Sequence, residues 1–219
     1  MPAARPSLSQ SESDATALDA LATLEAALVT LAGVARHRAA DSDPGLDLDA
    51  ADLHLLEAMQ CQDEAHFHLL ASLGAAPVMT AFALQPRATA SRAAALAALR
   101  SLKEIALGAQ MALARSLAAT DDQRLAEVLF AMGAIEGGHA ALLRGRLGEE
   151  PASGRAFLRW RFGDALDALA ELAESGLLDD APDAVSYPGP LERRCAGVTG
   201  LVPETTEDEL RWAEATAGP

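Results

Sequence analysis

Aromatic side chains make up only 4% of this 219-residue chain, with a single tyrosine and two tryptophans. β-Branched residues are scarce too, and both kinds are what the surface of a sheet needs. An extensive β structure is thereby excluded. Cys61 and Cys195 are the only cysteines, too few for a disulfide framework and without the spacing of a zinc finger. Positive charge is also short: 17 Lys and Arg stand against 32 Asp and Glu, a formal charge of −15. A surface of that sign repels nucleic acid and anionic membranes, so neither is expected as a partner. The segment Met1 to Asp14 lacks the apolar core of a signal peptide. No apolar run reaches about 18 uninterrupted residues, so no spanning helix is expected. A soluble cytoplasmic protein is the expectation.

Alanine and leucine are abundant instead, and both favour helix. The fold class expected is all-α. Residues 1–13 carry serines and prolines and are expected to be disordered. A first helix, A, starts near the capping residue Asp14 and runs to about Ala39. After the turn Asp41-Ser42-Asp43-Pro44-Gly45, helix B opens at Asp49 or Ala50 and ends at Gly74. Helix C occupies about Ala88 to Ala119, and helix D, which includes residues 125–143, follows the turn Thr120-Asp121-Asp122. Helices of about 25 residues span roughly 38 Å, a length that about 14 extended residues can cover. The Gly74–Ala88 connection can therefore cross from end to end and leave B and C parallel. Residues 14–148 make the bundle on this reading, and 149–219 form a C-terminal extension. Within it, 155–178 read as two short helices parted near Gly163. An irregular tail follows, with a capping box at Thr206-Glu207-Asp208-Glu209.

Each long helix interrupts its apolar stripe with one carboxylate. In A it is Glu25, among Leu18, Leu21, Leu28 and Val29; in B it is Asp63, among Leu56, Met59 and Leu70. In C it is Glu104, on a face with Leu96, Ala97, Arg100, Leu107, Gly108 and Met111; in D it is Glu136, among Leu129, Met132 and Leu143. Helices B and D add a histidine three residues later, His66 and His139, which lies beside its acid on the helix surface. For Glu104 a surface ion pair with Arg100, one turn earlier, is an open alternative. Glu64 and His68 point away from the stripe of B, by more than about 90°. Four ionised carboxylates in one core would cost several kcal/mol each, so cations or protons must compensate. Two divalent metals balance the four charges, and the neutral imidazoles complete the coordination. Gly108, Gly137 and Gly138 either leave room for a small ligand or let helices approach.

With these motifs the chain resembles the ferritin-like superfamily of di-iron carboxylate proteins. Their site takes one Glu from each of two helices and Glu-x-x-His from each of the other two. Glu25 and Glu104 match the single acids. Glu136-Gly137-Gly138-His139 matches one pair, and Asp63-Glu64-Ala65-His66 matches the other with Asp in place of Glu. The segments Glu104–Ala109 and Val185–Pro190 are also similar to bacterial ferritin-like domain proteins, some of them called desiccation-related. The resemblance implies a ferritin-like four-helix bundle with a long B–C crossover. It also implies two divalent ions, iron or else manganese, on Glu25, Asp63, His66, Glu104, Glu136 and His139. Oxidase, peroxidase or ferroxidase chemistry with dioxygen or peroxide and an unidentified reductant would follow, in a protein that could be a homo-oligomer. Iron storage, or a non-enzymatic stress protein with a degenerate site, is the alternative. Tyr187, Trp160 and Trp212 lie outside the expected bundle, which speaks against a tyrosyl radical within it.

Overall fold

A computed structural model describes residues 10–41, 45–119, 123–152, 161–175, 177 and 184–190. Four long helices dominate it: α1 (Gln10–Ala40), α2 (Ala50–Ser72), α3 (Arg92–Ala118) and α4 (Gln123–Arg146). A short α5 (Leu166–Glu174), a 3-10 turn and a two-stranded antiparallel pair, β1 (Ala81–Phe82) with β2 (Val185–Ser186), complete the described elements. The all-α class expected from composition is the observed one. Helix α1 starts earlier than the Asp14 cap, so residues 10–13 are helical rather than part of a disordered terminus. The first of the two short C-terminal helices and the Thr206 capping box fall outside the described residues.

Local chemistry sets the ends of these helices. Asp49 caps α2 by accepting from the Asp52 amide at 2.8 Å, while Asp52 accepts from the Asp49 amide at 3.2 Å. That reciprocal pair satisfies two of the amide donors that a helix start leaves open. The chain leaves α2 through Gly74 at φ 90°, with Ala75 donating to the Leu70 carbonyl at 3.0 Å. Helix α3 starts after Ser91, whose hydroxyl accepts from Ala94 at 3.2 Å. The residues just before it, Pro86–Thr89, form a 3-10 turn, so the helix begins later than the Ala88 expected.

Cross-helix bonds give the directions. Arg36 meets Glu57 at 3.5 Å and Gln60 donates to the Val29 carbonyl at 3.4 Å, so α1 and α2 run antiparallel. Asp52 pairs with Arg92 near the start of α2 and α3, and Asp63 pairs with Lys103 farther along both. These two helices are therefore parallel, and residues 73–91 cross from one end of the molecule to the other. Asp52 is fully buried and takes Arg92 at 2.5 Å and Arg146 at 2.7 Å. Three helices are thus tied at one end by a carboxylate whose burial would otherwise be costly.

Helix α1 is buried on nearly every side from Ala20 to Ala32. Such a helix needs cover on all faces. Ala26 and Ala27 pack against Phe82 of β1, with Phe67 and Tyr187 beside them. Segment 185–190 lies on the same helix, where Gly189 (φ 76°) approaches Thr30. Tyr187, expected away from the bundle, stacks on Phe67 of α2 with ring centroids 4.3 Å apart. By length and composition α1 and α4 are apolar enough to cross a membrane, contrary to the reading from uninterrupted runs, although α1 spends its apolar surface in the core. Cys61 is disulfide-bonded, and Cys195, the only other cysteine, lies outside the described residues.

Gly108 resolves to packing. A Cβ there would stand 2.7 Å from the Phe162 ring, whereas one at Gly138 would meet nothing within 4 Å. Gly108→Val should destabilise the protein by about 1–3 kcal/mol, the usual range for overpacking. Gly138→Ala should stabilise it by up to about 1 kcal/mol through helix propensity. Urea unfolding of both variants checks this, and equal effects of one sign would contradict the assigned packing.

Candidate metal centre

Glu25, Asp63 and Glu136 are all fully buried, and His139 is nearly so. They converge with His66 between α1, α2 and α4. His66 Nδ1 stands 3.2 Å from Glu136 Oε1 and 3.7 Å from Glu25 Oε2. His139 Nδ1 stands 3.9 Å from Asp63 Oδ1 and 3.8 Å from Glu136 Oε2. Five of the six residues singled out from the sequence are therefore brought together.

Glu104 is not. Its side chain is about a third exposed and pairs with Arg144 at 2.5 Å, with Arg161 at 3.8 Å and Arg100 at 4.0 Å more distant. Glu104 is thus ion-paired near the surface, with Arg144 rather than the expected Arg100 as its close partner. In its place α3 presents Lys103, whose ammonium is fully buried and pairs with Asp63 Oδ1 and, at 2.8 Å, with Glu136 Oε2. Gln110, two turns on, donates to Glu25 Oε1 at 2.9 Å. Neither residue was singled out from the sequence, yet a signal was there. Leu96, Leu99, Lys103, Ala106, Gln110, Leu113 and Leu117 repeat at three- and four-residue steps and are all buried, Lys103 and Gln110 being the two polar members of the stripe. Outside the cluster, His68 is exposed and lies 3.8 Å from Glu64. His37 pairs with Asp41.

The centre divides into two halves. On one side, Glu25 Oε2, Asp63 Oδ2, His66 Nδ1 and Glu136 Oε1 are buried and lack a hydrogen-bond partner. One ligand atom from each of these four residues lies within 4.8 Å of the others. Metal–ligand bonds of about 2.0–2.2 Å put opposite ligands at most about 4.4 Å apart, so small side-chain movements close the set. On the other side, Lys103 holds Asp63 Oδ1 and Glu136 Oε2, with His139 Nδ1 next to them. Gln62 Oε1 lies 2.6 Å from His139 Nε2. An amide oxygen can only accept, so Nε2 of His139 is the donor in this contact and Nδ1 faces the cluster.

Charge and burial act on these groups in opposite directions. Burial, with the Glu136 charge, raises Glu25 to about 7. Burial likewise raises Asp63, with the Lys103 charge opposing it. For Glu136 burial is overcome by Lys103 and the two histidines, which hold it well below the usual carboxylate range. Burial would lower His66, but the Glu25 charge and the contact with Glu136 raise it to about 10. Burial would lower Lys103 as well, and Asp63 and Glu136 more than reverse that. Compared with models of protein families, with curated proteins and with solved structures, the chain matches none.

The raised groups make the metal-free protein more stable in weak acid than in base. Glu25 and His66 both bind protons more tightly when folded, from ordinary values of 4.5 and 6.5. Their stabilising contribution is complete below those ordinary values, and it is lost as pH rises through about 7 for Glu25 and about 10 for His66. The melting temperature in chelator should therefore fall from about pH 6 to about pH 9, a span inside that window. His66→Gln should flatten the upper part of the decline. A melting temperature that rises across the same span would show that these groups do not carry the linkage.

Proposed function

We propose that this chain is a ferritin-like metal-binding protein, a helical bundle with a long α2–α3 crossover whose core takes up divalent metal. Iron is the first choice and manganese the second. The observation that carries the reading is the set of four buried ligand atoms on Glu25, Asp63, His66 and Glu136 that make no hydrogen bond, with His66 in ion-pair range of both glutamates. Buried polar atoms normally have partners, and mixed carboxylate and imidazole donors suit these metals. Bound metal would supply redox and Lewis-acid chemistry toward dioxygen or peroxide.

The chain's own residues prepare that site. Gln110 holds Glu25 by Oε1 and leaves Oε2 free to ligate. Lys103 likewise holds Asp63 by Oδ1 and leaves Oδ2 free. Such supports fix ligand orientation and sharpen affinity. His66 ligates only as neutral imidazole, so uptake of metal releases its proton. Full burial of the three carboxylates keeps bulk water from competing with the ligands. The disulfide at Cys61 favours an oxidising compartment over the cytosol expected from the sequence.

A second reading has support of its own. Lys103 together with protonated His66 and protonated Glu25 neutralises the cluster without metal, as a non-enzymatic bundle protein with a degenerate site would need.

Titration of chelator-treated protein with Mn(II) separates the two. Glu25→Ala and His66→Ala should weaken binding by more than the roughly 10–100-fold typical of outer-shell changes. Glu104→Ala and His68→Ala should leave it unchanged. No saturable binding to the unmodified chain would leave the metal-free reading standing.

A further inference from the structure

The two-ion centre implied by the resemblance does not fit these residues. Its second position would lie between Asp63, Glu136 and His139, with a carboxylate from α3 completing it. The carboxylate expected there, Glu104, is at the surface in an arginine cluster. The space holds an ammonium instead. Lys103 Nζ pairs with Asp63 Oδ1 and with Glu136 Oε2, and all three side chains are fully buried. Each of these two carboxylates is thus split, with one oxygen on the lysine and the other, which makes no hydrogen bond, on the side of Glu25 and His66. Within the second position only His139 Nδ1 lacks a hydrogen-bond partner and is not ion-paired to Lys103.

We propose that Lys103 is a built-in cation in the second metal position, so that the centre binds one divalent ion rather than two. The inference rests on the metal-binding reading above and specifies its stoichiometry. Charge agrees with it. Three buried carboxylates face one ammonium and one divalent ion, and the sum is neutral with both histidines uncharged. A second divalent ion would leave two positive charges in excess in a core that solvates them poorly, a cost of several kcal/mol per ion. Position agrees as well, because an ammonium bonded to Asp63 and Glu136 uses the oxygens a second ion would need. With a glutamate at 103 the balance changes: four carboxylates then match two divalent ions, and α3 supplies the missing acid from inside the core.

The test is the number of Mn(II) ions bound per full-length chain, read by native mass spectrometry and by electron paramagnetic resonance. The unmodified protein should bind one ion with the hyperfine spectrum of an isolated Mn(II). Lys103→Glu should bind two, with the broadened spectrum of a coupled pair. Should Lys103→Glu fail to fold by circular dichroism, Lys103→Ala decides: it opens the position and should admit a second, weaker ion. One ion in the unmodified chain and no second ion in a folded variant would overturn the role given to Lys103. Two coupled ions in the unmodified chain would overturn it while upholding metal binding. No ion in the unmodified chain would remove the metal-binding reading itself.

Discussion

Three carboxylates buried in one core cannot be left to themselves, and the Lys103 ammonium is the group that makes their burial tolerable. Placed against Asp63 and Glu136, it holds two helices, α2 and α4, through a third. Removing one partner from such a buried set leaves an uncompensated charge and is strongly destabilising. The remaining charge is balanced either by protons on His66 and Glu25 or by one divalent ion. Those two solutions use the same atoms, so proton and metal compete for a single place. Gln110 orients Glu25, one of the groups that compete, by a hydrogen bond at 2.9 Å, and Gln62 meets His139 in the other half of the centre at 2.6 Å.

Much of this arrangement can be read without coordinates. Glu25, Asp63 with His66, and Glu136 with His139 interrupt stripes of leucine, and each interruption is where the helices meet. Helix α3 was harder, for a definite physical reason. Alanine is small enough to sit on either face, so an alanine-rich helix offers two rival stripes about 100° apart, one residue's rotation. One stripe centres on Glu104 and the other on Lys103. The carboxylate suits a metal ligand better, and the resemblance to di-iron proteins favours it. Burial decides otherwise, and Arg144 and Arg161 claim Glu104 at the surface.

The C-terminal part was less legible because its contacts are long-range. Nothing near Val185 announces that it will pair with Phe82, more than a hundred residues earlier. In hindsight α1 contains the reason. A helix apolar on every side cannot be covered by α2 and α3 alone, and Phe82, Tyr187, segment 185–190 and α5 supply the missing cover. The Phe67–Tyr187 stack brings this cover to within one residue of His66. Segment and site are thus mechanically joined, although Tyr187 was expected to lie apart from the bundle.

The central claim concerns where one cation sits inside the protein. Anomalous diffraction at the manganese edge, from crystals grown with Mn(II), tests it most directly. The account predicts a single peak per chain, enclosed by Glu25, Asp63, His66 and Glu136, with Lys103 still bonded to Asp63 and Glu136. A pair of peaks with Lys103 displaced, or no peak in the core at all, would contradict it.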